Sequence, residues 1–453
     1  MTRIFRHYVA LEMLVLWLFE FLPCFLVFYL LLAQAGMPAA GAPWFDVTAA
    51  DQAAVLALTV GLASIAIGMY RPEICLQTRR LLMNATVAGL VACAASLVMA
   101  AAIGIDLRRL FDHGPTRLLQ ILATWIVFLF TTRLLFSVAM RSNLFARRVL
   151  IVGSAPNASR LEEAIGSLRR GVFMVAGVTP ARDAAELSPQ TLHRDRIWGV
   201  VVTSEARGSV PPAGLLRSKR AGFRIFSDIE FREQQLRRID LDHLEPDWML
   251  FADGLSCGRL ESTVRRLGDV VVSLLLLIAT LPVMALTAAL IRLESPGPVL
   301  YRQERVGLHG RVFTLLKFRS MQIDAEARGP AWAAQGDPRV TRVGAFIRRM
   351  RIDELPQLIN VLKGEMGFVG PRPERPHFVD QLAEVIPFYR DRACVKPGIT
   401  GWAQVNYPYG ASIEDARQKL SYDLYYVKHR NLFLDLMILL ATVRVILFQE
   451  GAR

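Results

Sequence analysis

Four long apolar runs in the first third of the chain limit its fold more than any other feature. They lie near Tyr8 to Ala33, Ala53 to Met69, Leu81 to Ile105 and Leu118 to Val138. Each is close to the ~20 residues that a helix needs to cross the hydrocarbon core of a bilayer. With 53% hydrophobic residues over 453 positions, the chain is too apolar for an ordinary soluble enzyme. We therefore predict a membrane module of four spanning helices over residues 1–140.

Basic residues around these runs predict their orientation, because cytoplasmic loops are enriched in Lys and Arg. The clusters that mark the predicted cytoplasmic side are Arg3 with Arg6, Arg71 with Arg79 and Arg80, and Arg141 with Arg147 and Arg148. The loop from Gly36 to Gln52 has no basic residue, as an outer loop should, although Arg108, Arg109 and Arg117 in the other outer loop weaken the pattern. The first run is too long for a signal-peptide core, so we expect it to remain as a helix.

Residues 141–257 are typical of a soluble α/β domain. The segment RRVLIVGSAPNASRL predicts a buried strand, a glycine turn and a helix, and further strands are predicted at Val172–Val178, Trp198–Thr203 and Phe223–Phe226. This order of elements indicates a Rossmann-like fold. Gly153 is followed by Ser, Ala and Pro instead of the further glycines of a dinucleotide fingerprint. A structural or regulatory role is therefore favoured over cofactor binding.

A fifth apolar run, Leu267–Ile291, contains Asp269 and, near its middle, Pro282. Proline removes one backbone donor and clashes with the preceding turn, so a straight span fits poorly. Basic residues flank both ends, which favours both ends in the cytoplasm. We predict a re-entrant hairpin over residues 267–292 that bends at Pro282. An ordinary kinked span is the alternative.

Asp353 and Glu354 form an acidic pair in RIDELPQLINVL, where the leucines fall at helical spacing. Because proline is tolerated only in the first turn of a helix, Pro356 predicts that the helix begins at the pair. Backbone N–H groups at such an N-terminus are donors for phosphate. Arg348 and Arg351 precede the pair, so one carboxylate is expected to have a lowered pKa and act as a nucleophile, while its neighbour helps to hold a divalent cation. The alternative is a solvated acidic N-cap.

The formal net charge of the chain is +13 at pH 7, and part of the excess surrounds the acidic pair. Nucleic acid, anionic lipid or phosphorylated substrates could each explain such an excess. Four predicted spans make nucleic acid the least favoured, so we expect no nucleic-acid partner. The five cysteines form no C-x-x-C pair, which indicates neither a zinc site nor a disulfide framework.

The C-terminal run Leu432–Phe448 is apolar apart from three polar residues, and it follows Tyr422, Tyr425 and Tyr426. Aromatic and basic residues before an apolar helix are typical of the membrane interface. We therefore predict interfacial helices with the aromatic rings at headgroup depth. A sixth span is the alternative.

Residues from about Arg259 to Phe448 resemble the bacterial sugar transferases, the monotopic polyprenyl-phosphate phosphoglycosyl transferases that start exopolysaccharide and O-antigen repeat units. The motifs that carry the resemblance are SPGPVLYRQERVGLHGRVFTLLKFRSM, DPRVTRVGAFIRRMRIDELPQLINVLKGEMGFVGPRPER and VKPGITGWAQVN, in that order. The whole chain resembles the large form of the family. This resemblance implies a four-span α-helical module, an α/β Rossmann-like domain and, over residues 258–453, an α/β phosphoglycosyl transferase domain with a re-entrant helix.

This resemblance implies that a hexose 1-phosphate passes from a UDP-sugar to undecaprenyl phosphate with release of UMP. Asp353 would be the nucleophile that carries a covalent phospho-sugar, and Glu354 would bind Mg²⁺. The residues that would bind substrate are Lys317, Arg319, Arg348, Arg351 and Arg372. For Lys317 and Arg319, the alternative is a basic surface stripe that faces anionic lipid headgroups.

The resemblance also predicts a multi-pass protein of the bacterial inner (cytoplasmic) membrane, with its catalytic domain on the cytoplasmic face of the bilayer. Glucose is the favoured hexose, and a homodimer is left open. Two competing functions remain. One is a non-catalytic membrane scaffold, and the other is a UDP-sugar-sensing regulator of polysaccharide assembly.

Overall fold

The chain forms two compact units, Met1–Leu236 and Arg237–Arg453. A computed structural model describes residues 2–4, 7–9, 11–36, 47–70, 78–104, 115–142, 144, 146–168, 172–244, 248, 253–255, 258–323, 325, 337–408, 410 and 412–448. Several residues on which the orientation prediction rests, among them Arg6, Arg71, Arg108 and Arg109, lie outside the described residues. The orientation of the helices therefore stays a prediction.

The first unit begins with a short antiparallel pair of strands and four long helices. These elements are β1 (Thr2–Ile4), β2 (His7–Val9), α1 (Leu11–Gly36), α2 (Val47–Ala66), α3 (Thr78–Ala102) and α4 (Pro115–Arg141). Helix α1 packs against α2 and α4, and α2 packs against α3. Helices α1 to α3 contain stretches long and apolar enough to cross a membrane, and α4 contains a shorter apolar stretch, Ile126–Ala139. The four apolar N-terminal helices are thus confirmed.

One ion pair links α1 to α4 inside this helical module. Arg133 donates from Nη2 to Glu20 Oε2 at 2.6 Å and from Nη1 to the Met69 carbonyl at 2.5 Å. The Tyr70 hydroxyl donates to the same Glu20 oxygen at 2.6 Å. Charged groups in such modules are tolerated when they pair with one another or with backbone carbonyls. Sequence reasoning does not predict this pair, because the two residues are 113 positions apart.

The rest of the first unit is an α/β domain with a four-stranded parallel sheet in the order β4-β3-β5-β6. Its elements are β3 (Arg147–Val152), α5 (Ala155–Leu168), β4 (Phe173–Thr179), α6 (Pro189–Arg194), β5 (Ile197–Val202), α7 (Pro212–Arg220), β6 (Arg224–Ser227) and α8 (Asp228–Phe231). The central strands β3 and β5 are rich in Val and Ile, and apolar clusters cover both faces of the sheet. The four predicted strands are confirmed to within a few residues.

The glycine turn after β3 has a structural cause. A Cβ atom on Gly153 would lie 2.1 Å from Thr203 Oγ1, a distance that no side chain can occupy. The Gly153 amide donates to the Thr179 carbonyl at 3.0 Å, which joins the turn to β4. The close approach of neighbouring elements therefore accounts for this glycine without a bound phosphate.

The second unit contains one long helix, two small sheets and several short helices. Its elements are α9 (Arg259–Glu294), β7 (Leu300–Val306), β8 (Val312–Phe318), α10 (Arg342–Arg349), α11 (Gln357–Lys363), β9 (Gly367–Val369), α12 (Pro376–Val385), β10 (Gly398–Thr400), α13 (Trp402–Asn406), α14 (Ile413–His429) and α15 (Leu432–Leu447). Strands β7 and β8 form an antiparallel hairpin, and β9 pairs with β10 in parallel. Ile239 and Trp248 pack into the core of this unit, so the unit begins before the predicted domain boundary at residues 257 and 258.

The three C-terminal tyrosines pack inside the protein. Tyr422, Tyr425 and Tyr426 are buried in the core of the second unit, and their predicted depth relative to the headgroups stays a prediction. The Tyr426 hydroxyl donates to Asp435 at 2.8 Å, and the Tyr425 ring stacks on Trp402 with 6.0 Å between the ring centroids. Burial of a tyrosine hydroxyl costs little free energy when the hydroxyl has a hydrogen-bond partner. Tyrosine rings can therefore pack in a protein core.

Helix α9 corresponds to the predicted re-entrant hairpin. It is helical throughout with Pro282 inside it, and it is long and apolar enough to cross a membrane. Large apolar side chains near the proline, such as Leu281, are exposed. Thr280 Oγ1 donates to the Leu276 carbonyl at 2.7 Å. The structure thus has one helical segment where a hairpin of two segments is predicted. The re-entrant path through the membrane stays a prediction.

Candidate active site

Asp353 and Glu354 lie together in a 3₁₀ turn, Ile352–Glu354, between α10 and α11. The prediction that an α-helix begins at the pair is wrong, because α11 begins at Gln357 with Pro356 as its N-cap. Pro356 has no N–H group to donate to the Ile352 carbonyl. The Leu355 amide donates to that carbonyl instead, at 3.1 Å, which produces the tighter turn.

The residue before this turn has an unusual backbone conformation. Arg351 has φ of 58°, in the left-handed region. For a residue other than glycine this conformation costs on the order of 1–2 kcal/mol. It ends α10 and turns the chain so that both carboxylates of the pair point into the protein, where they are buried. Strained residues of this kind are often found at functional sites.

Three cations converge on one oxygen of Glu354. Arg372 Nη2 donates to Glu354 Oε1 at 2.8 Å, Arg351 Nη1 lies 3.7 Å from the same oxygen, and Lys317 Nζ lies 3.8 Å from it. Burial by itself would raise the pKa of Glu354, but these cations together hold the pKa well below its usual range. Burial lowers the pKa of Lys317 to about 8, although the charge of Glu354 opposes this shift.

The Asp353 carboxylate differs from its neighbour. Among the residues that the structure describes, none forms a hydrogen bond or ion pair with the Asp353 side chain. Burial and the adjacent charge of Glu354 raise the pKa of Asp353 to about 6, although Lys317, Arg348 and Arg372 act in the opposite direction. The expectation of a nucleophile with a lowered pKa is therefore wrong. The lowered pKa belongs to Glu354, because the cations gather around that residue.

The remaining predicted residues have different positions. Arg348, on α10, acts on Asp353 through its charge. Arg319 is buried, and its guanidinium donates to the Ser295 carbonyl and hydroxyl and to the Pro296 carbonyl, each at 2.8 Å. These contacts give Arg319 a structural role, and its binding of the diphosphate stays a prediction. Its donors hold the loop after α9, and only the tertiary structure brings that loop to the end of β8.

Two arginines that sequence reasoning missed hold the loop that carries Arg372. Arg392 Nη2 donates to the Arg372 carbonyl at 3.0 Å and to Asp423 at 2.6 Å. Arg305 Nη1 donates to the Pro373 carbonyl at 3.0 Å. These contacts fix the backbone from which the Arg372 side chain reaches Glu354. No sequence signal distinguishes such arginines from the many surface arginines of this basic chain.

Asn360 joins α11 to β8, the strand that carries Lys317. Its Oδ1 accepts from the Leu316 amide at 3.0 Å, and its Nδ2 donates to the Thr314 carbonyl at 2.8 Å and to Glu365 Oε2 at 2.6 Å. The Asn360 side chain is fully buried. Glu365 therefore pairs with a buried side chain of α11.

Binding of Mg²⁺ at this site stays a prediction, and the Glu354 carboxylate is the group that would hold the ion. This ion is usually held by one or two carboxylates together with waters and substrate phosphates. The three cations all contact Glu354 Oε1, so Oε2 takes part in none of these contacts. No group of three or more His, Cys, Asp or Glu side chains within the described residues could hold a metal by itself. A divalent cation at this site would therefore depend on the phosphates of a substrate for most of its ligands.

Comparison with known proteins is consistent with this geometry. A family model described as "Bacterial sugar transferase" matches residues 260–449, which include the acidic pair, β8 and the loop of Arg372. An uncharacterised sugar transferase of Bacillus subtilis is 41% identical over 192 residues, which make up 42% of this chain and 89% of that protein. The chain belongs to the bacterial sugar transferase family.

Two further relatives of this sugar transferase have names that state a substrate. An Aeromonas hydrophila UDP-N-acetylgalactosamine-undecaprenyl-phosphate N-acetylgalactosaminephosphotransferase is 44% identical over 239 residues, 53% of this chain and 56% of that protein. A Caulobacter vibrioides UDP-glucose:undecaprenyl-phosphate glucose-1-phosphate transferase is 44% identical over 190 residues, 42% of this chain and 71% of that protein. The match thus spans little more than half of the Aeromonas protein. Because the two relatives are named for different sugars, the preference for glucose stays a prediction.

Proposed function

We propose that this sugar transferase transfers a sugar 1-phosphate from a UDP-sugar to undecaprenyl phosphate and releases UMP. The proposal rests on the different surroundings of the two acidic residues. Three cations hold Glu354, while the buried Asp353 side chain has no partner among the described residues. A carboxylate of this kind, in a site with excess positive charge, suits attack on an anionic phosphate. The names of the relatives support the donor and the acceptor.

In the first half-reaction, one Asp353 oxygen would form a bond to the β-phosphorus of the donor. The bond from that phosphorus to the oxygen that bridges to the α-phosphate would break, and UMP would leave with the electron pair. Lys317 and Arg372 would stabilise the charge that develops on the phosphate oxygens. Glu354 and the diphosphate would hold Mg²⁺, which when bound supplies further charge neutralisation.

In the second half-reaction, a phosphate oxygen of undecaprenyl phosphate would attack the phosphorus of the aspartyl phospho-sugar. The bond to Asp353 would break, and the carboxylate would be regenerated as the leaving group. The product would be a sugar on undecaprenyl diphosphate, as the first step of an exopolysaccharide or O-antigen unit. Two successive displacements at one carboxylate require ping-pong kinetics.

The membrane path proposed for α9 is re-entrant, and contacts at its two ends support this. Arg266 near one end donates to the carbonyl of Val361, the neighbour of Asn360. Ile291 near the other end packs with Phe318 on β8. Two residues before Phe318, the Leu316 amide donates to Asn360, so both ends of α9 contact residues close to Asn360. A straight helix would hold Arg266 and Ile291 ~37 Å apart, whereas Leu316 and Phe318 are only ~7 Å apart along β8. These contacts favour a bend near Pro282.

The test is UMP release by the full chain in nanodiscs with Mg²⁺, undecaprenyl phosphate and either UDP-glucose or UDP-N-acetylgalactosamine. We expect Asp353→Asn to lower the rate at least about 1,000-fold, because it removes the nucleophile. Labelled donor without acceptor should leave an adduct on Asp353. Asp380→Asn, at an exposed carboxylate on α12, is the matched control and should keep full activity. Unchanged UMP release in Asp353→Asn would contradict the mechanism, and a wild-type protein that releases none would favour the scaffold or the regulator.

A further inference from the structure

Helix α9 contacts the backbone of the segment that carries the acidic pair. This segment, Arg342–Lys363, comprises α10, the 3₁₀ turn and α11, and we name it the dyad segment. At its first residues, Glu294 Oε1 accepts from the amides of Arg342 at 2.8 Å and Val343 at 3.1 Å. The side chain of Thr341, the N-cap of α10, accepts from the Gly344 amide at 2.9 Å. The carboxylate at the end of α9 therefore accepts from two amides of the first turn of α10 that the N-cap side chain does not bind.

The other end of the dyad segment is held by the opposite end of the same helix. Arg266 Nη1 donates to the Val361 carbonyl at 2.6 Å, and Nη2 donates to the Leu362 carbonyl at 2.7 Å. These carbonyls lie in the last turn of α11, where carbonyl groups can accept from donors outside the helix, and the Val361 carbonyl also accepts from the Gly364 amide at 2.9 Å. Three residues further along α9, Asp269 accepts from the Phe368 amide at 2.9 Å, which fixes the chain just after the dyad segment.

The charges at the two contacts have the signs that the helices require. A carboxylate lies at the N-terminus of α10, where the backbone dipoles are positive, and a guanidinium lies at the C-terminus of α11, where they are negative. Hydrogen bonds with a charged partner are about twice as strong as neutral ones. The dyad segment is therefore held at both ends by strong bonds from one apolar helix.

We infer that Glu294 and Arg266 are positioning residues, through which α9 sets the place of Asp353 relative to Lys317 and Arg372. Both cations lie outside the dyad segment, on β8 and on the loop after β9. A shift of that segment would therefore change the geometry of the reacting groups without removing any of them. This inference rests on the proposed function for its kinetic consequence, but the contacts themselves can be tested without it.

The kinetic test compares removal with conservative replacement at both positions. Glu294→Leu and Arg266→Leu should each lower the single-turnover rate of adduct formation about 10- to 100-fold, the cost of misplacing a reacting group by ~1 Å. The KM for the UDP-sugar should change by less than about threefold, because no substrate ligand is lost. Glu294→Gln keeps an acceptor and Arg266→Lys keeps a donor, so both should recover most of the rate. Glu304→Leu on β7 and Arg259→Leu at the start of α9, both at exposed positions, are the matched controls.

Hydrogen exchange provides a measurement that does not depend on turnover. Peptides that cover residues 342–363 should exchange faster in Glu294→Leu and in Arg266→Leu than in the wild type, while peptides from β7 should not change. Loss of one contact should also raise exchange around Asp353, because each contact holds one end of the same segment. Wild-type exchange and wild-type single-turnover rates in both leucine variants would overturn the inference. A wild-type protein without UMP release would instead refute the proposed function, and exchange would still decide whether the contacts exist.

Discussion

Two of the buried charge clusters in the protein differ in the balance between carboxylates and cations. In the helical module, the Glu20 carboxylate forms an ion pair with one guanidinium, that of Arg133, and their other contacts are with neutral groups. In the second unit, two carboxylates lie near four cations, which are Lys317, Arg348, Arg351 and Arg372. The first cluster pairs one negative charge with one positive charge. The second has excess positive charge, which an anionic substrate would balance.

This difference separates a structural pair from a reactive one. Burying a charge costs several kcal/mol unless a partner compensates it, so a balanced pair such as Glu20 with Arg133 serves to join helices. An unbalanced cluster has no such structural benefit. Under the proposed function, its surplus charge would raise the affinity for phosphate and stabilise the transition state of phosphoryl transfer. Four tests address this contrast, in order of expected effect.

Neutralising one carboxylate in each cluster should affect catalysis to very different extents. Glu354→Gln should lower UMP release about 100- to 1,000-fold, because it releases the cations and removes the carboxylate proposed to hold Mg²⁺. The pKa of Asp353 should fall, because a neighbouring negative charge is lost, so the acid limb of the residual activity should move to lower pH. Glu20→Gln should leave UMP release by the folded protein nearly unchanged. Equal losses in both variants would remove the distinction between the clusters.

Removing one member of the balanced pair should destabilise the protein, and removing both should not. Arg133→Leu leaves Glu20 buried without its cation and should cost about 3 kcal/mol. The double variant Glu20→Leu with Arg133→Leu should regain most of that loss, since two apolar side chains replace the pair. Heat denaturation in nanodiscs, followed by tryptophan fluorescence, measures both. A double variant as unstable as Arg133→Leu would show that the pair does more than compensate charge.

The pH dependence of kcat/KM should report the two shifted groups of the unbalanced cluster. The rate should rise as Asp353 loses its proton near pH 6, because the carboxylate is the reactive form. It should fall as Lys317 loses its proton near pH 8, because the neutral amine no longer stabilises phosphate. Outside these limits the rate should change about tenfold per pH unit. Lys317→Arg should abolish the alkaline limb, since a guanidinium does not titrate there, and a limb that persists would assign it to another group.

The smallest kinetic effect is expected at Arg319, which lies beside the cluster without joining it. Arg319→Gln should change the KM for the UDP-sugar by less than about threefold, because its donors hold the Ser295 and Pro296 loop. Lys317→Gln should raise that KM about tenfold, because it removes a cation that is proposed to bind the phosphates. Arg319→Gln should instead lower the denaturation midpoint. A larger KM effect at Arg319 than at Lys317 would support Arg319 as a ligand of the diphosphate.

Elements that depend on local pattern could be predicted from the sequence. The four apolar helices and the four strands of the parallel sheet follow from length, composition and periodicity, which neighbouring residues determine. The positions of Asp353 and Glu354 in one turn follow from their adjacency. The start of α11 could not be placed to the residue, because the choice between an α-helical and a 3₁₀ turn depends on single hydrogen bonds around Pro356.

The sequence by itself determined an apolar helical module, an α/β sheet and an acidic pair among basic residues. The tertiary structure decided how the charges are shared. It placed Lys317, Arg351 and Arg372 on one oxygen of Glu354, left Asp353 apart with a raised pKa, and turned Arg319 towards a loop. It also buried the C-terminal tyrosines. The physical reason is that pKa values and ion pairs depend on burial and on distances of a few ångströms between residues far apart in the chain, and no local pattern contains those distances.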